Sequence, residues 1–134
     1  MKEIPAIYCD IDGVLNKKYA IAGTNYDRFG ATNENMVRVI NALGTDFTIV
    51  FITGRWSMGQ GRVEKHIDDL LPGINKKVFC KSKDYPGTTA EYKIGIIKEL
   101  EKKGYKFYFG LDDHSSVIGF MHNHGMFVAQ VIAD

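Results

Sequence analysis

The sequence is poor in cysteine, proline and tryptophan, with two, three and one respectively, and it has no long apolar run. Cys9 and Cys80 make no C-x-x-C pair and no zinc-ligand spacing. Both fall in apolar runs that read as buried strands, so they read as buried free thiols in a reducing, cytoplasmic setting. The early apolar run, Ile4 to Cys9, contains Pro5 and is followed at once by Asp10 and Asp12. It is too short for a signal-peptide core or a membrane helix, which argues against a membrane partner. An excess of one charge is missing too. Seventeen Lys and Arg against 16 Asp and Glu give a formal net charge of +1, so no global field draws the chain to nucleic acid or membrane. A local basic patch suffices to hold a short stretch or an end of a nucleic acid. Repeats, low-complexity tracts and linkers are absent, and 45% of the 134 residues are hydrophobic. Residues 1–134 therefore read as a single domain with a real core.

What is present is an alternation of short β-rich runs and helical periods. Strands are expected at Ile4 to Cys9, Phe47 to Ile52, Lys77 to Cys80, Tyr105 to Leu111 and Met126 to Val131. The nearly continuous apolar run FTIVFI is that of a strand covered on both faces. From Asn33, the residues Met36, Val37, Ile40 and Leu43 recur at helical spacing, and Gly44 can end that helix. Further helices are expected over Arg62 to Leu71, stopped by Pro72-Gly73, over Glu91 to Lys103, and over Ser115 to His124. Strands alternating with helices predict an α/β protein with right-handed crossovers and a mostly parallel five-stranded sheet. Such sheets bind ligands outside the carboxyl ends of their strands, where strand order reverses. Chemical residues should then follow strands.

They do. The first strand runs into Asp10-Ile11-Asp12-Gly13. In an extended segment, residues two apart face one side, so Asp10 and Asp12 face the crevice together. Gly13 lets the chain turn sharply beside them. Paired carboxylates repel unless a cation or proton is shared. The second strand ends in Thr53-Gly54-Arg55, where a hydroxyl, backbone N–H groups and a guanidinium fork can hold phosphoryl oxygens. The fourth ends in Asp112-Asp113-His114. Asp112 with Asp10 would offer hard oxygen ligands from two strands, which suits Mg2+. Asp113 either joins them or caps the next helix. Lys93 falls in the first turn of the third helix, where a cation opposes the helix dipole. It is either a surface lysine or a neutraliser of phosphoryl charge.

These four pieces, in this order, resemble the haloacid dehalogenase superfamily of phosphatases. Its D-x-D-G-[VT]-[LV] motif is matched by residues 10–15, its strand-end Thr by Thr53, its Lys near a helix start by Lys93, and its acidic pair by Asp112-Asp113. The resemblance implies a three-layer, Rossmann-like fold. It implies that Asp10 attacks phosphorus to form an aspartyl-phosphate, and that Asp12 protonates the leaving oxygen and then activates water. Thr53 and Lys93 would hold the phosphoryl oxygens, with Gly54 and Arg55 binding substrate beside them. Mg2+ would be held by the Asp10 carboxylate, the Asp12 backbone carbonyl and Asp112, with Asp113 supporting through water.

The intervals that carry cap domains in this superfamily, Asn16 to Asp46 and Gly54 to Tyr92 here, are short and mostly used by scaffold helices. No large cap and an open site are therefore expected, which suits large substrates or substrate ends. Thr53-Gly54-Arg55, Val78 to Lys81 and the stretch from Asp112 to Val131 also resemble the 3'-phosphatase domain of bacteriophage-type polynucleotide kinase-phosphatases. The expected partner is then a phosphorylated substrate, the 3' end of a DNA or RNA. Lys17, Lys18, Arg28, Arg55, Trp56, Lys81 and Lys83 fall in loops near the crevice and can grip a backbone, with Trp56 or Tyr26 stacking a base. Alternatives are a nucleoside-monophosphate phosphatase and a non-catalytic phosphate-binding module. GRWSMGQG, residues 54–61, starts like a phosphate-binding loop but has Gln60-Gly61 where Lys-Ser/Thr is required, so no kinase is read. His122-Asn123-His124 lies at a helix C-terminus away from the site and is not read as a metal site, whereas His114 can line the pocket.

Overall fold

The computed structural model describes residues 2–18 and 28–132. Tyr26, expected as a stacking residue, lies outside them. Five strands form one sheet: β1 (Ile4–Cys9), β2 (Thr48–Trp56), β3 (Lys76–Lys81), β4 (Tyr105–Asp112) and β5 (Val128–Gln130). Their order is β3-β2-β1-β4-β5, and every pairing is parallel. Four helices connect them: α1 (Glu34–Leu43), α2 (Gln60–Leu70), α3 (Thr89–Lys102) and α4 (Ser115–Asn123). Among the described residues, no helix is long and apolar enough to cross a membrane.

The sheet is covered on both faces, and the middles of β1 and β2 are nearly continuous apolar runs. Ala6 to Cys9 and Ile49 to Ile52 have no exposed surface. Odd and even positions face opposite ways. Ile7, Cys9, Ile49 and Phe51 pack with Ile40 of α1 and with Val63 and Ile67 of α2. Ala6, Tyr8, Val50 and Ile52 pack with Ile94, Ile97 and Leu100 of α3 and with Val117 and Met121 of α4. The result is the expected three-layer α/β architecture.

Element ends differ from the expected ones for local reasons. The second strand runs on to Trp56, because a register shift between Thr53 and Trp56 keeps it paired with β3. In the residues that start like a phosphate-binding loop, Ser57–Gly59 form a 3-10 turn. The Gln60 side chain then binds the edge of β3, donating to Val78 O at 2.8 Å and accepting from Cys80 N at 3.0 Å. Helix α3 starts at Thr89, because Thr88 and Glu91 form a reciprocal capping box. Lys93 therefore lies beyond the first turn and is buried, so the expected conflict with the dipole does not arise.

Strand order reverses between β1 and β4, which places the crevice beside their carboxyl ends. Gly110 of β4 lies opposite Tyr8 of β1, and a Cβ there would meet Tyr8 Cδ2 at 2.6 Å. Glycine thus makes room for the Tyr8 ring. Cys9 and Cys80 are both free and buried. Burial pushes the Cys9 thiol well up and the Cys80 thiol to about 12. Because the thiolate is the reactive form, a colourless aromatic disulfide reagent should label the native protein slowly. Both thiols should react fast in denaturant; fast native labelling would contradict this packing.

Candidate active site

The turn after β1 is built by its own backbone. Ile11 O accepts from Val14 N, Leu15 N and Asn16 N, at 3.1, 2.9 and 3.3 Å. Gly13 sits at φ +86°, where L side chains rarely go, and its N–H donates to Asn16 O at 2.7 Å. A Cβ on Gly13 would lie 2.2 Å from Asp113 Oδ2. The turn needs glycine for its conformation and for the space that Asp113 fills.

Three carboxylates converge from β1 and β4. Oxygens of Asp10, Asp112 and Asp113 lie within 4.8 Å of one another. Lys93 reaches them from α3. Its Nζ lies 3.2 Å from Asp10 Oδ1 and 3.0 Å from Asp112 Oδ2, and it donates to Tyr8 Oη at 2.6 Å. The Tyr8 hydroxyl donates in turn to Asp112 Oδ2. Asp112 Oδ1 accepts from His114 N at 2.9 Å, so this fully buried carboxylate is bonded on both oxygens. Asp113 Oδ2 pairs with Lys18 Nζ at 3.2 Å. The next helix instead takes His114 as its N-cap, so Asp113 joins the acids rather than capping α4.

The electrostatics follow from burial. Burial pushes the Asp10 carboxyl well above the usual range; Lys93 opposes that, and Asp112 adds to it. Burial would raise Asp112 as well, but Lys93, Tyr8 and His114 N–H hold it below the usual range. Burial would lower Lys93, yet Asp10 and Asp112 bring it above the ordinary lysine value. Lys93 is thus an ammonium, and Asp112 the better ionised of the two acids it joins.

Asp10, Asp12, Thr53, Gly54, Lys93 and Asp113 all line one cavity of about 680 Å³. Asp112 is buried beneath them. The opposite wall is Thr89 and Ala90 of α3 with Val117 and Phe120 of α4; Lys18 and His114 also line it. Arg55, expected to offer its fork to substrate, has a different partner. Its Nε donates to Asp12 Oδ2 at 2.6 Å and its Nη2 to Asp12 Oδ1 at 2.7 Å. The guanidinium is buried and clamps a protein carboxylate instead of lining the cavity. The clamped Asp12 carboxylate is not one of the three acids that meet, and the metal role the resemblance implies for Asp12 is that of its backbone carbonyl. Thr53 Oγ1 accepts from Arg55 N at 3.1 Å, and Thr53 is buried at the cavity floor.

Of the basic and aromatic residues expected near the crevice, Lys18 reaches the cavity, while Lys83 lies over the Trp56 ring at 5.9 Å. His122 and His124 are bound to backbone, at Val128 and at Phe120 O, as befits a helix end. The sequence reading missed Tyr8, taken there as strand core. Its position two residues before Asp10 was the available signal, since residues two apart share a face. Phe120, which no motif or spacing singled out, also lines the cavity.

The fold and site define a parallel α/β protein with an acidic crevice at its topological switch point. No protein-family model matches the sequence, and no curated protein matches it. Two solved structures are similar in fold. One, "Structure of the Pnkp1/Rnl/Hen1 RNA repair complex", has a TM-score of 0.82 at 17% identity, covering 96% of this chain and 42% of that chain. The other, "Structure of Pnkp1/Rnl/Hen1 complex", has a TM-score of 0.80 at 18% identity, covering 96% of this chain and 46% of that one. The chain therefore spans less than half the length of the chains it matches.

Lys93→Met should leave Asp10 and Asp112 facing each other without their shared ammonium. Removing one partner of a buried ion pair costs roughly 3–5 kcal/mol, to be read as a lower urea midpoint. An unchanged midpoint would mean that the lysine does not hold the two acids.

Proposed function

We propose that this chain is a divalent-cation-dependent phosphomonoester hydrolase of the haloacid dehalogenase type that works through an aspartyl-phosphate. One observation carries the reading: Asp10, Asp112 and Asp113 meet at the strand-order reversal with Lys93 between the first two, beside a cavity floored by Asp12 and Thr53. The donor set fits Mg2+. Three carboxylates gather hard oxygens in one place, and burial of Asp10 disfavours its charge unless a cation compensates. Asp10 and Asp112 would hold the ion, with Asp113 and the Asp12 carbonyl supporting. Once bound, the ion would offset repulsion between the anionic nucleophile and the anionic ester.

The residues divide the work. Asp10 attacks phosphorus, so that a bond from its oxygen forms as the ester P–O bond breaks. Asp12 gives its proton to the leaving oxygen. Asp12 then takes a proton from water, whose oxygen attacks phosphorus and releases phosphate from Asp10. Thr53 and Lys93 neutralise phosphoryl oxygens. The arginine clamp fixes the plane of the Asp12 carboxylate, and each clamped oxygen keeps a second lone pair for the proton.

The substrate we propose is the 3'-phosphate of a polynucleotide end. The end of β2, the Ser57–Gly59 turn, helix α2, strand β3 and the start of α3 together take up most of the interval from Gly54 to Tyr92, leaving little there for a cap. Lys18 and Phe120 line a cavity of about 680 Å³, larger than a phosphate needs, which leaves room for a nucleoside. The sequence resemblance and the RNA repair complex named for the fold neighbours point the same way.

Released phosphate from 3'-phosphorylated, 5'-phosphorylated and mononucleotide substrates, with Mg2+, tests this. The 3'-phosphorylated oligonucleotide should be preferred, and Asp10→Asn should reduce turnover to background with the fold intact, read as an unchanged circular-dichroism spectrum. Preference for mononucleotides would replace the polynucleotide assignment, and an active Asp10→Asn protein would refute the covalent route. Mg2+ should also raise the melting temperature of the wild type, and a chelator should reverse it. Burial makes Asp10 hold its proton more tightly than an ordinary carboxylate, and the cation competes with that proton, so the rise should shrink as pH is lowered and grow as pH is raised.

A further inference from the structure

Helix α2 contributes nothing to the cavity, yet one of its side chains reaches the catalytic turn by two routes. The His66 ring stacks on Phe29, with centroids 3.6 Å apart and planes 8° from parallel. The same Phe29 ring lies 4.1 Å beneath the guanidinium carbon of Arg55. Arg55 in turn holds both oxygens of Asp12. By the second route, His66 Nε2 lies 2.7 Å from Asn16 Oδ1. Asn16 is buried, donates from Nδ2 to Gly30 O at 2.9 Å, and accepts the Gly13 N–H on its backbone oxygen.

We infer that His66 is a positioning residue for Asp12, acting through the Phe29 ring and the Arg55 guanidinium. This rests on the phosphatase reading, in which Asp12 moves the proton. An arginine fork orients a carboxylate only as firmly as the fork is itself held, and its side chain loses much rotamer freedom when ordered. The Phe29 ring supplies the flat surface that restrains the guanidinium. Phe29 lies in irregular chain between β1 and α1, so no regular backbone fixes its ring. His66, carried on a packed helix, does so.

The test separates proton delivery from every other loss. Alkyl esters depart as alkoxides and need the Asp12 proton, whereas p-nitrophenyl phosphate releases a stable phenolate that does not. kcat/KM reports steps up to loss of the alcohol, so the later hydrolysis common to both esters does not enter it. General acid catalysis contributes about 100- to 10,000-fold, and partial misplacement of Asp12 should forfeit about tenfold of it. His66→Ala should therefore lower kcat/KM about tenfold for a 3'-phosphorylated oligonucleotide and less than about twofold for p-nitrophenyl phosphate. Phe29→Leu should show the same split, and His66→Ala should cost less on the Phe29→Leu background than on the wild type, because part of its effect runs through that ring. Equal losses on both esters, no loss on either, or additive losses in the double variant would overturn the inference. If His66→Ala fails to fold, His66→Leu, which fills the site but loses the stacked ring, decides by the same split. A wild-type protein that cleaves neither ester would instead refute the phosphatase reading itself.

Discussion

The buried ammonium of Lys93 is the interaction on which the site depends. Two carboxylates from neighbouring strands, Asp10 and Asp112, lie inside the protein beside a tyrosine hydroxyl. Without a cation between them their repulsion and desolvation would drive them apart or force protons onto them. With it, Asp112 stays ionised while Asp10 is left with incomplete compensation. In the proposed phosphatase, that unequal sharing would suit an acid that takes a further positive charge and then meets a phosphate.

The sheet makes this arrangement possible. A parallel strand buried on both faces carries charge only where a partner meets it, so charged residues gather toward its end. β1, at the centre, is flanked by β2 on one side and β4 on the other. Their ends deliver Asp10 and Asp12, Thr53 and Arg55, and Asp112 and Asp113 to one rim. α3 crosses the α3/α4 face and supplies Lys93 from its second turn, set there by a capping box that starts the helix two residues before the spacing of apolar residues alone would start it.

Much of this was legible in the sequence. Continuous apolar runs such as FTIVFI mark buried parallel strands, and acidic and hydroxyl residues directly after such runs mark the rim. The four-motif order named Asp10, Asp12, Thr53, Lys93, Asp112 and Asp113, and all but Asp112 line the cavity, with Asp112 just below. What periodicity does not encode is who pairs with whom. Arg55 reads equally well as a phosphate fork or a carboxylate clamp, because both partners have the same planar geometry; packing chose Asp12. Tyr8 reads as core because its ring is core, and only its hydroxyl is chemical. His66 lies 50 residues from Asn16, a contact visible only once α2 is laid on the sheet.

The Tyr8 and Asp112 pair joins residues 104 apart along the chain. Its closure therefore encloses nearly every other element, and no contiguous half of the sequence contains both members. Long loops are closed late in folding, after local helices and nearer strand pairs have formed. Asp10 and Asp112 therefore meet only where β1 and β4 have paired, so the acidic crevice exists only in the assembled sheet. In an unfolded chain the two acids lie apart in solvent, where water and salt screen their repulsion.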